Sequence, residues 1–220
     1  MGLGGGFHSH STSASESSGA IVNRSRLPRL AAVVAVVALG LVGCSSPTPG
    51  AAAVIGDTRI AETALTQQVQ AVLKAQGKPL DTPDSALASQ TLDRMVKSQL
   101  VSILAAQAGV EITQGEIDAQ MIEYDAQAGS RSEVERIFLE QGIAPSQIAG
   151  IIVLNLQANE LGMLLAPNGD PQMQGNAVVK AMTVLSDLLD TEVSPRYGTW
   201  DASTLQVGPA PDDLSAPQAE

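Results

Sequence analysis

Residues 51–73 read AAAVIGDTRIAETALTQQVQAVL, and two periodicities meet inside them. Ala53-Val54-Ile55 and Thr58-Arg59-Ile60 flank Gly56-Asp57, a two-residue turn signal, so the stretch opens as a small β-hairpin. Leu65, Val69, Val72 and Leu73 then fall at i, i+4, i+7 and i+8. That spacing predicts one apolar face of a helix from about Glu62 to Gln76. Gly77-Lys78-Pro79 ends it. A hairpin that hands over directly to a helix sets the expectation for the whole chain: mainly α, with a little sheet.

The helical period continues downstream. Thr82-Pro83 is expected to open the second helix, with Pro at its first position. Its stripe is Leu92, Met95, Val96, Leu100, Ile103 and Leu104, and Gly109 closes it. Thr113-x-x-Glu116 has the form of a capping box, with Ile117, Met121 and Tyr124 on the helix it starts. Ser130-x-x-Glu133 is a second such box, ahead of Val134, Ile137 and Phe138, and Gly142 ends that short helix. Pro145 opens a further helix to about Leu165. There Ile151, Ile152, Val153 and Leu154 are consecutive, the mark of a helix buried on several sides. A helix with one side facing a client groove is the alternative. Ala166 to Pro171 reads as a loop. A last helix carries Val178, Met182, Leu185 and Leu189. The stretch VSPRYGTWDASTLQV (193–207) predicts a turn and a short strand near Leu205. The Pro-rich, acidic end, 208–220, is expected to be disordered.

Composition agrees with helices. Aromatic residues are 2% of the 220 and hydrophobic residues 44%. A core built from Ala, Val, Ile, Leu and Met suits helix packing better than a sandwich or barrel. The net charge is −11, and before Cys44 there are three arginines and one glutamate. Nine basic and 22 acidic residues follow, a charge of −13. Such a surface repels polyanions, so a nucleic-acid partner is not expected. Both histidines, His8 and His10, precede Cys44, the only cysteine. Beyond it, His-dependent triads, thiol nucleophiles and Cys- or His-ligated zinc have no residues to use. Neither a nucleophile–base pair nor a Gly-rich phosphate loop is found, so no enzyme activity, metal or dissociable cofactor is expected. Glu123, Asp125 and Glu133 read as a solvated face rather than a catalytic carboxylate cluster.

Residues 1–43 read as leader. MGLGGGFHSHSTSASESSGA is of low complexity, and IVNRSRLPRL follows with three arginines and no acid. Leu30 to Val42 is an unbroken apolar run. As a helix it reaches about 20 Å, short of the roughly 30 Å hydrocarbon core, so a secretory signal fits better than a membrane span or a buried helix. The distance of the charges from Met1 suggests translation from Val22. Destroying the Met1 codon without losing the protein is the expected result.

Leu41-Val42-Gly43-Cys44 resembles the bacterial lipobox. The resemblance implies that Cys44 carries a covalent diacylglycerol and becomes the N-terminus, where an N-acyl chain such as palmitate is added. Residues 44–52 then read as a tether, with Pro and Gly opposing a helix. Two or more acyl chains meet the condition for stable anchoring. The protein is thereby expected at the extracytoplasmic face of the cell membrane, held there by lipid.

AAVIGDTRIAETALTQQVQAVL resembles the opening of the SurA-type and PrsA-type extracytoplasmic chaperones, and VSPRYGTWD resembles a closing motif of their actinobacterial lipoprotein relatives. The likeness spans about 52 to 207. It implies a SurA N-domain-like helical domain over 53–207, its initial hairpin paired to a C-terminal strand, with Tyr197 and Trp200 as core or corner residues. Ala61 stands where the family has a Thr or Ser cap. Family members that isomerise prolyl bonds carry a parvulin domain before the last helix. Here about ten residues, 166–175, occupy that interval, against the about 90 such a domain needs.

Two functions follow as expectations. One is a lipid-anchored holdase, without isomerase activity, for unfolded or translocating envelope and secreted proteins, with Met121 and Met163 as candidate client contacts. The other is an envelope scaffold that binds one specific partner.

Overall fold

A computed structural model describes residues 49–210; the leader 1–43, Cys44 and residues 211–220 lie outside the described residues. The initial hairpin is β1 (Ala51–Ile55) and β2 (Thr58–Ala61), joined at Gly56-Asp57. Gly56 has φ +55°, the left-handed region where glycine is unstrained. Ala51 and Ala52, expected to end the tether, are strand residues. β1 is the middle strand of an antiparallel sheet ordered β2-β1-β3, and Ala51, Ala52, Ala53 and Ile55 are buried. A bulge near Ala52 shifts the register, and Ala52's carbonyl accepts from Ser194 N at 2.9 Å.

The strand beside the hairpin is β3 (Glu192–Val193), not the segment near Leu205. That later segment is β5 (Gln206–Val207), which pairs with β4 (Trp200–Asp201) in a hairpin of its own. The physical reason lies at Leu189. Its carbonyl accepts from Gly56 N at 2.8 Å, so the last helix delivers the chain directly alongside β1.

The helices are α1 (Glu62–Ala75), α2 (Ser85–Ala108), α3 (Gln114–Ala128), α4 (Arg131–Glu140), α5 (Ile148–Leu165) and α6 (Pro171–Leu188). The described protein is thus mainly helical with a small antiparallel sheet, as the patterning predicts. Ala61 offers α1 no side-chain cap, but Glu62 N donates to Gly50 O at 3.0 Å, so backbone takes over the first donor. α2 starts later than expected. Asp84, not Thr82, is its cap, accepting from Leu87 N at 2.9 Å, and Pro83 precedes the helix. The Thr113–Glu116 box is complete, whereas the Ser130–Glu133 box is half made. Ser130 Oγ accepts from Glu133 N, but the Glu133 carboxylate turns to Arg136 instead. α6 begins at Pro171, with Asp170 as cap. The α5–α6 connection is therefore Ala166–Asp170, one residue shorter than the loop expected over 166–171 because Pro171 is already helical.

α2 is the spine. Leu92, Val96, Leu100, Val101 and Ala105 enter the main core with the sheet, Leu65 of α1, Leu161 of α5, Val178, Met182 and Leu185 of α6, and Leu205. Tyr197 and Trp200 pack against this core as partly buried residues. A smaller cluster of Val72, Leu73, Leu87 and Ala144 joins α1 to the start of α2. A third, of Val134, Ile143, Ile148 and Ile152, seats the α3–α4 hairpin on α5. Arg94 of α2 donates to Gly142 O at 2.6 Å and fixes the end of that hairpin.

Candidate functional site

The α5–α6 hairpin holds the largest concentration of exposed apolar side chains. Among the described residues nine large hydrophobics are exposed, and seven belong to this hairpin: Met163, Leu164, Leu165, Met173, Val179, Val184 and Leu188. The local sequence explains the arrangement. The run Ile151–Leu154 gives α5 apolar groups on every side of one turn, and α2, α3 and α6 pack against it, yet only Ile148, Ile152, Leu161 and Gly162 are buried, fewer than the expected burial on several sides. Pro145–Leu165 is long and apolar enough to cross a membrane by length and composition, a property it shares with core helices of soluble proteins. The covering helices leave its last turn open, so Met163, Leu164 and Leu165 reach solvent. The chain then reverses within five residues. Gln174 Nε2 donates to Gly169 O at 3.2 Å, and Asp170 Oδ1 accepts from Met173 N at 2.8 Å. A Cβ on Gly162 would stand 3.0 Å from the Gln174 Cβ, so glycine lets α5 and α6 close together here.

α6 carries two apolar stripes. Val178, Met182 and Leu185 are buried. Met173, Ala177, Val184 and Leu188 fall on a different face, where all but the half-buried Ala177 are exposed. Between α2, α5 and α6 lies a groove of about 330 Å³, walled by Val101, Leu154, Ala158, Val178, Val179 and Met182. Lys97 stands among its lining residues as the one charged group, paired to Asp93 at 2.7 Å. Asp93 also accepts from Val207 N at 3.2 Å, tying the terminal hairpin to α2.

The two methionines predicted as client contacts are not brought together. Met163 is exposed at the end of α5. Met121 is partly buried in the third cluster, packed with Tyr124 and Phe138 against Ile148 and Ile152. The lipidation residue, Cys44, lies outside the described residues. Leu164, Leu165, Met173, Val184 and Leu188 lie outside the predicted stripes; on α6 the 173/177/184/188 spacing is the signal that marks three of them.

Two other depressions are of note. The larger, about 430 Å³, lies between α1, the 80–85 connection and Arg196-Tyr197. Arg196 pairs with Glu62 at 2.9 Å and sits 5.2 Å from the Tyr197 ring centre. Burial pushes the Tyr197 hydroxyl up from its ordinary value. The other is an aromatic pocket on the α3–α4 hairpin. Among the described residues no group of three or more His, Cys, Asp or Glu is placed to share a metal ion.

No protein-family model, curated protein or solved structure matches the chain. The class is defined by architecture alone: a mainly helical domain with a small antiparallel sheet and an apolar helical hairpin open to solvent.

Proposed function

We propose that this chain is a lipid-anchored extracytoplasmic chaperone-like protein of the SurA and PrsA kind. In this reading it lacks a parvulin domain and catalyses no reaction. It holds unfolded or translocating envelope and secreted proteins. The observation that carries the reading is the gathering of seven exposed large apolar side chains on one helical hairpin. Met163, Leu164 and Leu165 end α5 and Met173 opens α6, so the turn of the hairpin concentrates four of the seven at one end, and contiguous exposed apolar surface marks binding sites. The mix of Leu, Val and Met suits clients of differing shape, because flexible side chains repack around each one. Apolar client segments bind by removing their own surface and that of Leu164, Leu165 and Met173 from water. The −13 charge of the chain beyond Cys44 keeps a loaded complex soluble. Cys44 supplies the membrane attachment.

The test is breadth of binding. The soluble form from Ser45 onward is expected to suppress aggregation of several unrelated unfolded proteins at stoichiometric amounts. Suppression of none, with capture of one envelope protein, establishes the scaffold reading instead. Mass spectrometry of the membrane-extracted N-terminus is expected to show acylated Cys44. A free thiol still joined to Gly43 overturns the anchor.

A further inference from the structure

The described residues contain four aromatic side chains, and they are used in two ways. Tyr197 and Trp200 pack against the main core. Tyr124 and Phe138 stand together on the α3–α4 hairpin, with ring centres 5.9 Å apart and planes inclined by 39°. They pack against the third cluster, yet they also line an open pocket of about 250 Å³ with Gln127, Ala128, Val134 and Ile137. Two scarce rings beside a surface pocket offer a seat for a large apolar side chain, and ring faces attract cations.

The pocket lining is uncharged, and the hairpin that carries it is net negative. Residues 111–140 carry eight carboxylates and two arginines. Both arginines are engaged within the hairpin, Arg131 with Asp125 at 2.8 Å and Arg136 with Glu133 and Glu140. Glu123, next to Tyr124, accepts from Gln120 at 3.1 Å and from the pocket residue Gln127 at 3.0 Å, and no arginine or lysine among the described residues pairs with it.

We propose that this pocket docks a cationic polypeptide segment. A large apolar side chain of the segment seats in the pocket against the paired rings of Tyr124 and Phe138, and flanking lysines or arginines meet Glu123 and the net negative charge of the hairpin. Charge complementarity selects this occupant, because the same charge repels nucleic acid and anionic lipid. The site is separate from the α5–α6 surface, so it stands or falls independently of holdase activity.

The experiment titrates fluorescently labelled short peptides with the purified full chain and reads anisotropy. Three peptides of equal length are used: Lys/Leu alternating in helical period, its Glu/Leu counterpart, and a Lys/Ser version. Only the Lys/Leu peptide is expected to bind, and its affinity falls with salt. Tyr124→Ala is expected to weaken it about tenfold. Gln127→Lys alters an exposed rim residue rather than the core, and is expected to weaken binding comparably while the thermal melt is unchanged. Leu164→Ser with Met173→Ser leaves peptide binding intact. Equal binding of the Glu/Leu or Lys/Ser peptide, or unchanged binding by Gln127→Lys, overturns the proposal. Loss of Lys/Leu binding in the Leu164→Ser, Met173→Ser protein assigns that peptide to the α5–α6 surface and also overturns it.

Discussion

Trp200 donates its indole N–H to Ser186 Oγ at 2.8 Å, and Ser186 is buried in α6. This bond fastens the terminal hairpin to the last helix. Removing one partner leaves a part-buried donor unmatched, so Ser186→Ala is expected to cost about 1–3 kcal/mol. Trp200 is the chain's only tryptophan. Its fluorescence therefore reports the change directly, as a shift in emission and an earlier unfolding midpoint in denaturant. Gly198 is a stricter case. At φ +139° an added Cβ would come within 2.1 Å of Gly208 O, so Gly198→Ala is expected to displace the terminal hairpin and to change the same fluorescence. Leu205 shows the opposite balance. It holds φ +53°, costly for a branched residue, while its side chain is buried in the main core. Burial outweighs backbone strain there, and no propensity argument finds such a residue.

At the scale of elements, a cap is legible in sequence only where no neighbour competes for its groups. The Thr113–Glu116 box is local: both partners lie within one turn, so four residues determine it. Glu133 has the same spacing from Ser130, but Arg136 one turn later competes for its carboxylate and wins it. Pro83 looks like a helix start until Asp84 is seen accepting from Leu87 N. Asp84→Ala is expected to cost about 1 kcal/mol of thermal stability, checked by the circular-dichroism melt. The α3–α4 hairpin is also expected to respond to acid. Hydrogen bonds from Thr113 hold Glu116 below its ordinary value, Arg131 does so for Asp125, and Arg136 for Glu133. Groups with lowered folded values stabilise above their unfolded pKa and lose that contribution as pH falls through the folded one. Helicity in α3 and α4 is therefore expected to be full at neutral pH and to weaken below about pH 4. Carboxyl-detected NMR titration checks this, and an unshifted Glu116 midpoint would show the box open in solution. All of these groups lie at the surface, so added salt blunts the effect.

For the molecule as a whole, the apolar hairpin and the spine make opposite demands. Leu100 is fully buried at the centre of α2, and Leu100→Ala is expected to cost about 2–5 kcal/mol, read as a lower denaturant midpoint. Leu164 and Met173 are more than half exposed, at 59% and 54%. Replacing both by serine is expected to leave the melt within about 0.5 kcal/mol of wild type while reducing suppression of client aggregation severalfold. Full suppression by that double variant would remove the α5–α6 surface from the proposed function.

The chain by itself determined its helices, the initial hairpin and the capping box at Thr113, because each rests on residues within a turn or two of one another. The lipobox-like motif and the acidic balance are likewise local or summed properties. What only the tertiary structure decided was pairing at a distance. Glu192-Val193 lies beside β1 because α6 ends against Gly56, and Trp200 reaches Ser186 because the terminal hairpin folds back on α6. Of the predicted client contacts, Met163 is exposed and Met121 is half inside. A methionine at helical spacing looks the same in either setting, and burial depends on which helix covers the face, information carried by residues far away in sequence.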